Sequence, residues 1–262
     1  MNNKTDNKFL MQTAVLAGEI MLKSGAETYR VEDTMAHILR KSDAEHVDPV
    51  AFNTAILVTL QEKGQEPLSI IRRVKSRGTN MCNIVQVNAI SRRFCKDEIS
   101  LKQTYEELTQ IKGRQYSRLV YNLGTVGVVF GFSLFFGGAA VDAGAALIVG
   151  SVLAAFITLG KKLKFNDFFL DIFCGIGIAV VSILLQKFVI KNMNLDTIII
   201  SAIMPLVPGV AITNAIRDTL QGDNLSGSAR ILEAFLKAAA IAIGVGIGMA
   251  VGTGLLGRGL LL

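Results

Sequence analysis

Residues that carry chemistry are scarce in this chain. The two histidines, His37 and His46, stand nine apart with no flanking cysteine, which argues against zinc. Cys82, Cys95 and Cys174 are odd in number and lack C-x-x-C spacing. They read as reduced, buried small hydrophobes rather than a disulfide or metal site. No G-x-S-x-G elbow, P-loop or H-E-x-x-H occurs, so neither hydrolysis nor ATP-driven pumping has a visible site. No enzyme activity and no cofactor is expected. A continuous basic stripe with interleaved aromatics is missing too, which sets nucleic acid aside despite the net charge of +6. No secretory signal is visible. Residues 1–8 are polar, and Gln12 and Glu19 interrupt the apolar stretch Phe9–Leu22. The N-terminal domain is therefore expected to stay in the cytoplasm.

The second half is short of charge. Residues 1–118 hold 32 of the 48 charged side chains, and the other 144 residues hold 16 together with 20 of the 25 glycines. Windows free of charge run over 119–141, 143–160, 172–186, 197–216 and 238–257. A spanning helix needs about 20 apolar residues. The expected fold is α-helical and membrane-embedded: a cytoplasmic α+β domain over 1–115, then a membrane domain over 116–262. Five spans are expected at about 118–137, 140–160, 168–190, 196–216 and 236–257. Lys161, Lys162 and Lys164 in one loop, with Arg217 and Arg230 in another, mark the cytoplasmic side. The C-terminus is then periplasmic.

Within 1–115, Leu10, Ala14, Ala17 and Met21 have helical spacing. Ser24–Gly25–Ala26–Glu27 has the S-x-x-E spacing of a capping box and predicts a break before a second helix. Val50–Leu60 is rich in β-branched residues and predicts one strand, with Leu68–Val74 its partner after a turn at Gly64 and Pro67. Asn80–Cys95 and Leu101–Lys112 predict helices, the latter entered through Ser100.

The fourth window stands apart. Pro205 and Pro208, followed by Gly209, lie inside the charge-free run Thr197–Ile216. Each proline removes a backbone donor and clashes with the preceding turn. Lipid cannot satisfy the freed carbonyls, so such a break must face protein or a water-filled cavity. Broken helices are how many transporters build a mid-membrane site. Asn214, Arg217 and Asp218 follow, then Asp223, Ser226, Arg230 and Glu233. Asn214 and Asp218 share a helical face. Arg217 or Arg230 would meet a substrate carboxylate, and Asp218 or Glu233 would carry a coupling proton. The bland alternative is a polar loop held by ion pairs. Asp142 and Asp171, near the starts of the second and third spans, are further candidates for the pathway, because a carboxylate in a span is costly. Ala240, Gly244, Gly248 and Gly252 place a small residue at every fourth position of the last span. That stripe packs either within the chain or against another subunit.

Three stretches carry a family likeness: AGEIMLKSGAETYRVEDTM, VDPVAFNTAILVT and PLVPGVAITNAIRDTLQGDNLSGSARILEA. They resemble the N-terminal part of the bacterial threonine/serine exporter family, and specifically the YjjP-type subunit of its split members. The resemblance implies export of a small polar metabolite across the bacterial inner membrane, either threonine/serine or a dicarboxylate such as succinate. It also implies proton coupling and a second small membrane subunit of the YjjB type. A homo-oligomer is the other assembly considered. Two rival functions are a membrane-anchored sensory or regulatory binding module, and a membrane-tethered hydrolase. An anchor has no use for the broken fourth span, and a hydrolase needs an activated nucleophile.

Overall fold

A computed structural model describes residues 2–75, 78–113 and 116–258, with the backbone alone for 2–6 and 255–258. Two compact units result. One joins Met1–Gln115 to Gly209–Leu232, and the other joins Tyr116–Pro208 to Glu233–Leu262.

The first unit opens with α1 (Asn2–Lys23) and α2 (Thr28–Leu39). Gly25 at φ +81° makes the turn between them, a conformation that costs glycine little. The capping box expected at Ser24 does not form. Helix α2 starts at Thr28, with Glu27 at the cap position making no side-chain cap bond. Ser24 Oγ instead accepts from Asn83 Nδ2 at 3.0 Å. Strands β1 (His46–Phe52), β2 (Ala55–Gln61) and β3 (Leu68–Arg73) form an antiparallel sheet in that order. The single strand expected over 50–60 is thus two strands. Phe52 pairs with Ala55 across a two-residue turn at Asn53–Thr54. Alternation along β2 still buries Ile56, Val58 and Leu60 completely. They meet Met11, Met21, Met35 and Ile38 from α1 and α2 in the core of this unit. Asn80 caps α3 (Met81–Cys95), and a Ser100–Gln103 capping box opens α4 (Leu101–Thr109).

The second unit contains α5 (Arg118–Phe135), α6 (Ala140–Lys162), α7 (Asp167–Phe188) and α8 (Leu195–Ile203). Gly150 of α6 lets Val126 and Val129 of α5 come close, since a Cβ there would lie 3.2 Å from each. Helix α9 (Gly209–Leu220) belongs to the first unit, and α10 (Asn224–Arg258) begins there and continues in the second. Among the described residues, four helices have the length and apolar composition to cross a membrane: α5, α6, α7 and the 224–254 part of α10. The segment 196–216 is not one continuous helix but α8 and α9. Helix α10 starts at Asn224, well before the expected span start at 236.

The glycine stripe resolves within the chain. A Cβ at Gly248 would sit 2.7 Å from the Ile176 carbonyl oxygen and 2.8 Å from Ala179 Cβ. Gly244 faces the backbone of Ile172 and Gly252 faces Ile183, so the stripe seats α10 against α7.

Candidate transport site

The break after α8 follows from its prolines. Pro205 cannot donate to Ser201, nor Pro208 to Met204. The chain tightens instead. Leu206 N donates to Ile203 O at 2.8 Å, and Val207 N donates to Ile203 O and Met204 O. Helix α9 restarts at Gly209. Its inward face is polar: Asn214, Ala215 and Asp218 are buried. Its apolar residues point outward, with Ile216 51% and Leu220 79% exposed. That arrangement inverts the usual amphipathic pattern of a water-soluble surface helix.

The polar cluster after the break comes together on the turn between α1 and α2. Asn214 Nδ2 donates to Gly25 O at 2.7 Å. Arg230 Nη2 donates to Ala26 O at 2.8 Å. Arg217 Nη1 donates to Glu27 Oε1 at 2.7 Å. Asp218 Oδ1 accepts from Thr28 N at 2.9 Å. Four successive residues are thus each held by a different side chain. Helix ends leave backbone groups without partners, and here distant side chains supply them. Asp218 caps α2 in place of the Ser24 expected from the sequence. Its second oxygen lies 3.1 Å from Arg230 Nε, and both side chains are buried. Ser226 is buried on the first turn of α10, whereas Glu233 is exposed.

Glu27 is the residue that sequence reasoning passed over, having taken it for a helix cap. It is buried and shared by Arg217 and, at 3.3 Å, Arg30. Burial alone would raise its pKa. Hydrogen bonds from its own backbone and from Arg217, with the charges of Arg30 and Arg217, outweigh burial and hold the carboxyl below its usual range. Glu32, which accepts from Ala51 N, is raised by burial, with Asp223, Asp48 and Asp218 nearby. Asp223 is raised by burial and by Asp218.

In the second unit Asp142 and Asp171 part company. Asp142 is occupied by backbone: its carboxylate accepts from Ala139 N at 2.8 Å and from Asn194 N at 2.6 Å. It ties the start of α6 to the cap of α8. Asp171 is buried in α7, with Lys237 Nζ of α10 at 3.8 Å. Lys237 was not singled out from sequence, because nothing local links it to a carboxylate 66 positions away. Among the described residues, no group of three or more His, Cys, Asp or Glu could hold a metal ion.

Four apolar helices of spanning length define an integral membrane protein. The chain belongs to the threonine/serine exporter family, ThrE, whose family model matches residues 12–252. A Mycobacterium tuberculosis protein described as a "probable threonine/serine exporter" is 22% identical over 235 residues, which is 88% of this chain and 44% of that protein. The chain therefore spans less than half the length of this relative. No solved structure matches. The family is one of membrane transporters rather than of enzymes.

Proposed function

We propose that the chain is a subunit of a proton-coupled secondary exporter for a small polar metabolite, threonine/serine or a dicarboxylate such as succinate. In this reading export also requires a second small membrane subunit, as the likeness to the split members of the family implies. The observation that carries this reading is the proline break at Met204–Pro208 inside an apolar segment. Broken backbone at membrane depth is tolerated where it lines a cavity.

Five crossings are the topology we propose. Helices α5 to α7 take the chain across three times. With the N-terminal unit in the cytoplasm, as the sequence leads one to expect, α10, whose first turns belong to that unit, starts back on the cytoplasmic side. The intervening segment, α8 and the proline break that follows it, then makes the return crossing and delivers α9 to the N-terminal unit. Asp171, paired with Lys237, is the carboxylate best placed to carry a coupling proton. Asn214, Arg217, Asp218 and Arg230 act as a clasp on the 25–28 turn, which ties the N-terminal unit to the segment after the break.

The test is Pro205→Ala/Pro208→Ala. Alanine restores helix propensity by about 3 kcal/mol per proline and favours a straight helix. Insertion into the membrane should be normal. Efflux of labelled threonine, serine or succinate from preloaded cells should be lost. Unchanged efflux would show that the break is incidental.

A further inference from the structure

A cleft of about 220 Å³ lies where α5 begins and α6 ends. Arg118 enters it from the first turn of α5, and Lys161 and Lys162 from the last turn of α6. No acidic residue is among the described residues lining it. Lys161 is positioned rather than loose: its Nζ lies 3.4 Å from Tyr121 Oη and 4.5 Å from the centre of that ring. Thr158 Oγ1 donates to Asn122 Oδ1 at 2.9 Å, so the Asn122 amide nitrogen is the end left to donate. Three cations and an amide donor around one hollow demand an anion.

The surroundings decide which anion. The cleft sits at the polar ends of two spanning helices, where tyrosine and lysine gather at a membrane surface. Leu119 and Leu123 of α5 and Leu159 of α6 are 69%, 62% and 53% exposed beside it. A free anion would gain nothing from those leucines. A lipid would lay its acyl chains on them and its phosphate among the cations, as basic pockets between membrane helices do. We infer that this cleft binds the phosphate headgroup of an anionic membrane lipid.

The full chain, purified in non-ionic detergent, is titrated with dioleoylphosphatidylglycerol, dioleoylphosphatidylcholine or inorganic phosphate while thermal unfolding is followed. Phosphatidylglycerol should raise the midpoint by about 5 °C or more near saturation. The other two should not. The shift should shrink between about 50 mM and about 500 mM salt, as screening requires. Lys161→Gln/Lys162→Gln should lose at least half of it, while Lys187→Gln/Lys191→Gln, at the other end of α7, should keep it. An equal response to phosphatidylcholine, or a salt-independent one, would overturn the inference from the unaltered chain alone. So would a Lys161/Lys162 variant that keeps the shift. A response to inorganic phosphate as large as that to the lipid would make the site one for free anions instead.

Discussion

Glu27 and Asp218 sit in the same polar cluster but answer to different physics. Asp218 is fully buried, and its partner Arg230 is nearly so. Removing one member of a buried pair strands the other charge, at a cost of about 3–5 kcal/mol. Asp218→Ala should therefore lower the unfolding midpoint steeply, the more so because Thr28 N loses its acceptor as well. Arg217 is more than half exposed, and Arg30 remains beside Glu27 when it goes. Arg217→Ala should cost no more than about 1 kcal/mol. Efflux by that stable variant then reports on transport alone. Acidity adds a signed test. The Glu27 carboxyl is depressed in the folded chain, so its contribution is complete above the usual carboxylate range and is lost as pH falls through the lower, folded value. Glu32 runs the other way: its charged form is disfavoured by burial, and the penalty is relieved on acidification through its raised value. Glu27→Gln should flatten the acid limb of the stability profile, and an unchanged limb would assign that limb to other carboxylates.

Helix α10 shows what small residues do at the scale of an element. Gly244, Gly248 and Gly252 bring its backbone against α7, with no room at Gly248 even for a methyl group. Overfilling a packed contact costs about 1–3 kcal/mol, and here the obstacle is backbone, which cannot rotate away. Gly248→Leu should destabilise the chain by at least that much in thermal unfolding while leaving its oligomeric state unchanged. A variant of normal stability whose assembly fails would return the stripe to the role of a subunit contact. Helix α5 presents the contrast. Gly124, Gly127 and Gly131 have nothing within reach, and Phe135 is 78% exposed. Its outward face suits lipid or another membrane subunit.

For the whole molecule, the expectation is that the chain does not export alone. Purified and reconstituted by itself it should give no substrate efflux, and co-expression with a small membrane partner should restore it. Full efflux from the chain alone, running as a monomer, would dispose of the second subunit. Sidedness is checked by cysteine-accessibility labelling. With five crossings, residues 161–166 label from the cytoplasm and the end of α10 from the periplasm. A cytoplasmic end to α10 would mean that α8 and the break after it do not cross.

Membrane residence and the position of the break were legible without coordinates, because both follow from local chain properties. Charge-free length decides what lipid can accept, and two prolines three residues apart each remove a helix hydrogen bond and kink or break the helix whatever surrounds them. The buried face of β2 was legible for the same reason, since alternation is a property of the strand itself. The hairpin turn at Asn53–Thr54 was not, because β-branched residues flank it on both sides and its pairing is decided between strands. Nor was the destination of the polar cluster. Asn214, Arg217, Asp218 and Arg230 read as side chains aimed at a substrate, and the fold aims them at the 25–28 turn, nearly 190 positions and more away. Capping is normally local, which is why Ser24 was expected to do what Asp218 does. The meeting of Lys237 with Asp171 was hidden likewise. Buried charges find partners wherever packing brings them, because leaving one unpaired costs more than any local preference can offset. Only the tertiary structure settles which partners those are.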